Sequence, residues 1–350
     1  MTRLVAVVVS GVLLVGCQSG PTVVDDESEP GRSEPGVQDE SVDNEGEVVE
    51  LKLSADFDIQ GHRGARGLRP ESTLPSFEIA LDYRVDTIEV DLHLSKDDEL
   101  IIWHDPFIEA SLCSSEGHQD LPDPDELEQH DPRLLLRNMT AEQLSRYRCD
   151  RNPDVERFPD QSLEPTALAD DDFSIVTLEG FFDFVEHYAE SPEKSEEQRA
   201  NAAGVRFNIE TKREPAHPEF IGDGFDGEGP STFERRLVEL IEKRGYQERA
   251  MMQSFDHRSL WAAATIAPWL TLVVLDREIE TPFEEFKDRG ATVWSPRARL
   301  VTSESLQGAL EAGLTVIPWT VNDTDEMERL IEIGVDGIIT DRPDLLVQYR

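Results

Sequence analysis

Thr87-Ile88-Glu89-Val90-Asp91-Leu92-His93-Leu94, followed after a short polar turn by Leu100-Ile101-Ile102-Trp103-His104-Asp105-Pro106, decides how the chain is read. Successive side chains of an extended strand alternate between faces. Glu89, Asp91 and His93 therefore share one face, and Ile88, Val90 and Leu92 take the other. The apolar face needs a packed layer behind it. The two carboxylates repel each other unless a cation lies between them, and hard oxygen donors suit Ca2+ or Mg2+. A solvent-facing strand edge is the plainer alternative. His93 is read as a structural histidine. Five residues, Ser95–Glu99, separate the two strands, too few for a crossover helix. A hairpin turning at Lys96-Asp97-Asp98-Glu99 pairs Ser95 with Leu100, and hence Asp91 with His104. His104 ends its strand as a candidate general acid or base, because imidazole titrates near neutrality. Asp105 either orients it or caps the turn before Pro106.

Outward from this hairpin, short apolar or β-branched runs alternate with helical pattern. Strands are expected at Phe57–Gln60, Thr87–Leu94, Leu100–Trp103, Val205–Glu210, Ala250–Gln253, Thr271–Leu275, Ala291–Trp294, Leu314–Trp319 and Gly337–Thr340. Helical spacing falls at Leu74–Tyr83, Ala141–Arg148, Leu178–Tyr188, Phe233–Arg244, His257–Ala267, Phe283–Arg289, Ser303–Ala312 and Asp325–Ile333. Alternation of this kind argues for a parallel sheet. About eight strands over roughly 290 residues suit an α/β fold of the (β/α)8 barrel type. The alternative is an open doubly wound sheet, disfavoured because no GxGxxG turn opens a helix. No short-period repeat is present. Residues 107–172 are polar and Pro-rich, and read as an insertion after the third strand, at the end of the barrel where loops build sites.

Further polar residues stand at strand ends. Ile59-Gln60-Gly61-His62-Arg63-Gly64-Ala65 ends a strand in an imidazole and a guanidinium between glycines, and Arg is a bidentate partner for phosphate. Phe207-Asn208-Ile209-Glu210-Thr211-Lys212 offers a third candidate metal ligand, Glu210, and a phosphate partner, Lys212. A surface ion pair is the other reading. Trp319 is either an apolar wall for a substrate alcohol or barrel core. Strand ends of one barrel meet at one face. A metal, two cations and two imidazoles there suit cleavage of a phosphate ester: the cations hold the phosphate, the metal stabilises developing charge and the imidazoles move protons.

The chain has 350 residues, with 33 Lys+Arg against 74 Asp+Glu and a formal charge of −41. That charge argues against nucleic acid or an anionic membrane surface as partner, and means that an anionic substrate needs a local cationic site. Mean hydropathy is −0.45, which excludes a polytopic membrane protein. Arg3 and the 13 apolar-rich residues Leu4–Gly16 read as a signal peptide. The run ends in Leu14-Val15-Gly16-Cys17, which resembles the bacterial lipobox and implies cleavage before Cys17 and its lipidation. Gln18, rather than Asp, favours the outer membrane in a diderm cell. The expected organisation is a signal peptide over 1–16, a lipidated acidic tether over 17–56 and a catalytic barrel over 57–350. The tether composition cannot bury enough surface to offset ordering entropy. With Cys17 assigned to lipid, Cys113 and Cys149 remain, and in an oxidising compartment they are expected to pair; two free thiols are the alternative.

Residues 59–346 resemble the glycerophosphodiester phosphodiesterases. The likeness rests on His62-Arg63-Gly64-Ala65, Pro70-Glu71-Ser72-Thr73, Glu89-Val90-Asp91, His104-Asp105-Pro106, Asn208-Ile209-Glu210-Thr211-Lys212, Ser254-Phe255-Asp256, Trp319-Thr320-Val321-Asn322 and Asp336-Gly337-Ile338-Ile339-Thr340-Asp341, in family order. The resemblance implies a distorted barrel of the phospholipase-C-like phosphodiesterase type. It also implies metal-dependent hydrolysis of glycerophosphodiesters, small-molecule substrates, to sn-glycerol 3-phosphate and an alcohol. By position it implies His62 and His104 as the acid–base pair, with His62 the base. It implies Glu89, Asp91 and Glu210 as metal ligands, and Arg63 and Lys212 as phosphate contacts. Ser72 stands where the family usually has Asn, Asp98 replaces a turn glycine, and Thr211 replaces an aliphatic residue. The rival readings are a phosphodiesterase acting on intact phospholipid and a non-catalytic binding lipoprotein.

Overall fold

Burial of aliphatic runs on one strand face fixes the frame. In the computed structural model, which describes residues 51–350, strands form at Asp58–Gly61 (β1), Thr87–Leu94 (β2), Leu100–Ile102 (β3), Arg206–Thr211 (β4), Ala250–Ser254 (β5), Thr271–Asp276 (β6), Val293–Pro296 (β7), Thr315–Val316 (β8) and Gly337–Thr340 (β9). The signal peptide, Cys17 and most of the expected tether lie outside the described residues. Strand order is β8-β7-β6-β5-β4-β2-β1-β9. Every neighbouring pair in that path is parallel, and β3 alone runs antiparallel, against β2. Backbone hydrogen bonds from Ile339 N to Pro318 O (2.9 Å), Val321 N to Ile339 O (3.0 Å) and Asp336 N to Val316 O (3.0 Å) bring the two ends of the path together. The sheet is therefore a nearly closed (β/α)8 barrel, not an open doubly wound sheet.

Helices occupy Leu74–Asp82 (α1), Ala141–Leu144 (α2), Leu178–Glu190 (α3), Glu196–Gly204 (α4), Thr232–Arg244 (α5), His257–Ala264 (α6), Phe283–Asp288 (α7), Ser303–Glu311 (α8), Thr324–Ile333 (α9) and Pro343–Leu346 (α10). Side-chain caps begin several of them: Thr73, Thr177 and Asp323 each accept from a first-turn N–H, a bond worth about 1 kcal/mol. Outward strand residues pack against the helices. Phe181 and Phe182 of α3 meet Phe77 of α1 and Phe207 of β4 with ring centroids 4.4 Å and 4.8 Å apart. Each such buried ring contributes roughly 2–3 kcal/mol. The inward rows carry a small apolar plug of Met251, Val273, Val293, Ile317 and Ile339 on the β5–β9 side. On the β1–β5 side the inward rows are polar: Gln60, Asn208 and Gln253.

Three expectations need correction. The turn is three residues, Lys96-Asp97-Asp98, closed by Ser95 N donating to Glu99 O (3.0 Å), with Asp98 at φ 60°. An odd loop shifts the register by one. Leu94 faces Leu100, and Asp91 faces Trp103 rather than His104. The insertion is also not merely polar. Its Phe107, Ile108, Leu112, Leu134, Leu136, Met139, Leu144 and Tyr147 bury a second apolar core on Ile101 and Trp103 of the hairpin, and within it Cys113 and Cys149 form a disulfide. The chain returns along the free edge of β3, where Ile102 N donates to Val176 O. Lastly, α4 has no apolar periodicity to betray it, since only Ala202 is fully buried. Its signal is the capping box Ser195/Gln198.

Candidate active site

Parallel strands send their C-terminal ends to one side, and the polar ends of the inward rows collect there. Glu89, Asp91 and Glu210 each offer a carboxylate oxygen within 4.8 Å of the others, all buried. The register puts Asp91 of β2 directly beside Glu210 of β4. Gln253 Nε2 donates to Glu89 Oε1 (2.9 Å), and Asn208 Nδ2 donates to both Gln253 and Gln60, so a buried amide layer floors the cluster. Glu89 Oε2 accepts the Arg63 backbone N–H at 3.0 Å.

Two cations border the carboxylates. Lys212 Nζ lies 2.9 Å from Glu210 and 3.5 Å from Asp91. Arg63 pairs with Glu71 at 2.8 Å and with Asp91 at 3.1 Å. Burial pushes the Glu89 carboxyl up to about 7, and the neighbouring Asp91 charge adds to the rise. Burial would raise Asp91 too, but Lys212, Arg63, His104 and His62 hold it well below the ordinary carboxylate range. Burial also raises Glu210 despite Lys212. Lys212 is itself raised: its burial is outweighed by Glu210 and Asp91. Three buried carboxylates of which two resist ionisation form a hard-oxygen set short of positive charge. These residues fit a divalent cation.

The imidazoles flank this cluster. His62 follows β1, and its Nδ1 lies 2.6 Å from Asp341 Oδ1 at the end of β9. Burial opposes ionisation of Asp341, yet the His62 contact keeps it well below the usual range. An ionised Asp341 only accepts, so His62 Nδ1 is the donor, which in the neutral ring leaves Nε2 as the acceptor. Asn322 clamps Asp341 in turn, with Nδ2 donating to Oδ2 (2.7 Å) and Oδ1 accepting the Asp341 N–H (2.9 Å). His104 Nδ1 lies 3.1 Å from Asp105 Oδ1; burial opposes ionisation of Asp105, but the His104 contact keeps it low. His93, left neutral by burial with its pKa lowered to about 4, donates from Nε2 to the His104 carbonyl at 3.0 Å.

The structure thus gathers His62, Arg63, Glu89, Asp91, His104, Glu210 and Lys212 at one mouth. Trp319 stands on the opposite rim, half-buried on the apolar plug, with Nε1 donating to Ser295 O. The packing of Trp319 on the plug agrees with its reading as barrel core. Cys113 and Cys149 belong to the insertion core. Ser72 adopts φ 57°, and its buried Oγ has no hydrogen-bond partner among the described residues. Sequence reasoning gave no role to Asp341, Asn322, Glu71 or Gln253. The signal was parity: Gln253 continues the inward row of β5 and Asp341 that of β9. The insertion also reaches the mouth, where Arg157 Nη2 lies 4.0 Å from Asp341 Oδ2.

A distorted (β/α)8 barrel with a β2–β3 hairpin and a loop insertion beyond it defines the structural class. The chain belongs to the glycerophosphoryl diester phosphodiesterase family, whose model matches residues 62–345. It is 25% identical over 290 residues to the glycerophosphodiester phosphodiesterase of Caldanaerobacter subterraneus, covering 83% of this chain and 96% of that one. It is 24% identical over 296 residues to that of Bacillus subtilis, covering 83% and 85%. Among solved structures, a glycerophosphoryl diester phosphodiesterase from Silicibacter pomeroyi superposes with TM-score 0.68 at 23% identity, covering 85% of this chain and 94% of that one. An Oleispira antarctica phosphodiesterase solved with its product sn-glycerol-3-phosphate gives TM-score 0.60 at 18% identity, covering 85% and 96%.

Proposed function

We propose that the protein hydrolyses glycerophosphodiesters to sn-glycerol 3-phosphate and an alcohol by acid–base catalysis from His62 and His104. The observation that carries this reading is the convergence of two aspartate-oriented imidazoles on one buried Glu89/Asp91/Glu210 cluster. Family membership and the relatives' activity support the same chemistry.

Arg63 and Lys212 hold the phosphodiester, exchanging part of their pairing with Asp91, Glu71 and Glu210 for phosphate oxygens. His62, with Nε2 as acceptor, takes a proton from the attacking water, whose oxygen bonds to phosphorus as the bond to the alcohol oxygen breaks, and Asp341 stabilises the imidazolium that forms. His104 delivers a proton to the departing alkoxide, with Asp105 compensating its charge. Glu89, Asp91 and Glu210 are the residues that would hold a divalent cation, Ca2+ or Mg2+, which when bound would supply Lewis-acid stabilisation of charge on phosphate oxygen. Trp319 gives the alcohol an apolar wall. The amide layer of Gln60, Asn208 and Gln253 keeps Glu89 oriented without adding charge.

The test is product identification from a panel of glycerophosphodiesters, with and without chelator. Release of glycerol 3-phosphate, abolished by EDTA and by His62→Ala, is the expected result. Turnover of intact phospholipid alone, or activity indifferent to both treatments, overturns it. We further propose that Cys17 is lipidated and tethers the enzyme to the cell envelope. Among the described residues no helix is long and apolar enough to cross a membrane. Palmitate labelling should occur in the wild type and vanish in Cys17→Ser; labelling that persists in the variant excludes this anchor.

A further inference from the structure

The inward rows of β5, β6 and β7 continue past the apolar plug into Phe255, Arg277 and Arg297, none of which the proposed mechanism uses. Met251, Val273 and Val293 lie in the plug, and Phe255, Arg277 and Arg297 stand four residues further along the same parity. The register levels them. Asp276 pairs with Pro296, and Arg297 bridges Trp319 in parallel, so Arg277, Arg297 and Trp319 sit at one height on three adjacent chain segments. Their side chains stack. Arg277 Cζ lies 3.7 Å from the Phe255 ring centroid, Phe255 meets Trp319 edge-on at 5.4 Å, and Arg297 Cζ lies 5.5 Å from the Trp319 ring. Among the described residues the Arg277 guanidinium has no carboxylate within ion-pair distance. Its neighbour Glu278 is engaged by Arg299 at 3.1 Å.

In a chain of charge −41, an arginine stacked over an aromatic ring at the mouth, forming no ion pair among the described residues with its acidic sequence neighbours Asp276, Glu278 and Glu280, is a local exception. Its effect on a substrate is twofold. A cation already covers the Phe255 face, so a quaternary ammonium group finds that cation–π position taken and meets like charge. An anionic group instead meets a solvent-exposed, bidentate donor held against the Phe255 ring. We infer that Arg277, backed by Phe255 and Trp319, selects glycerophosphodiesters whose alcohol carries a second anionic group, a phosphate monoester or a carboxylate, over those carrying a quaternary ammonium. This rests on the glycerophosphodiesterase reading and names the substrate class of the same site.

The experiment compares glycerophosphoinositol 4-phosphate with glycerophosphocholine, using the full-length enzyme. The wild type is expected to favour the phosphorylated diester in kcat/KM. Arg277→Gln should lower that ratio about tenfold, mainly through KM, the loss expected for one charged hydrogen-bonding contact. Arg277→Lys should restore part of it. Arg289→Gln, which removes an exposed guanidinium from the segment after α7, should leave the ratio at the wild-type value. Added salt should erode the preference. A wild-type preference for choline, or a ratio unchanged in Arg277→Gln, overturns the inference. If neither diester is hydrolysed, the glycerophosphodiesterase reading fails, and the same ratio measured as equilibrium affinities by calorimetry still decides the role of Arg277.

Discussion

Each imidazole at the mouth is defined by the carboxylate behind it. Asp341 fixes the tautomer of His62, so Asp341→Asn presents an amide donor to Nδ1 and moves the ring proton to Nε2. Steady-state kinetics should show kcat reduced by about 10²–10⁴-fold with KM little changed; an unchanged kcat removes Asp341 from the mechanism. Glu89 supplies the pH dependence. With its pKa near 7, it holds a proton below neutrality that a divalent cation must displace, and none above. Calcium binding should therefore strengthen as pH rises through about 7. Calorimetry in buffers of different ionisation enthalpy should record more protons released on binding at pH 6 than at pH 8, with Glu210, also raised by burial, adding to the Glu89 proton. Equal release at both values contradicts the assignment. His62, Glu89, Asp91 and Glu210 were legible in the sequence because each continues an inward strand row, and His104 because it ends the apolar run of β3, although the corrected register gives it the parity of Ile102. Asp341 was not assigned a role, because nothing local ties it to a histidine 279 positions away.

The β2–β3 hairpin is the element on which His104 depends, and its register turns on one residue. Asp98 sits in the left-handed region at φ 60° and pairs with Arg137 at 2.7 Å. A β-branched residue resists that conformation. Asp98→Val should cost about 1–2 kcal/mol of stability in chemical denaturation, while Asp98→Gly should change it little. Equal stability of the two variants contradicts the account. The reading of the hairpin from sequence placed both strands and missed the register by one, because four-residue and three-residue turns share the same polar composition. The longer helices with an apolar stripe were found; α4, capped but nearly stripeless, and the four-residue α10 were not.

Among the described residues the two larger apolar cores lie around the barrel and beneath the insertion, with the small plug inside the barrel as a third. The second was hidden in the sequence, because its Leu, Phe and Met residues are scattered among acidic ones with no constant period. The disulfide closes a 36-residue separation across it. Replacing both cysteines by serine should cost about 2–4 kcal/mol. Limited proteolysis should then cut within residues 107–172 well before the barrel; uniform resistance would mean that the apolar contacts alone suffice. The alternation of strand and helix made the barrel itself legible, but not how it shuts: β1 finds β9 as its neighbour, joining the two ends of the domain. That closure has a consequence for how the mouth is assembled. Asp341, which lies 2.6 Å from His62, stands 279 positions away just past β9, so the imidazole gains its partner only when the last strand of the barrel docks beside β1. A variant lacking β9 would leave His62 without that carboxylate and, on the proposed mechanism, without an oriented base.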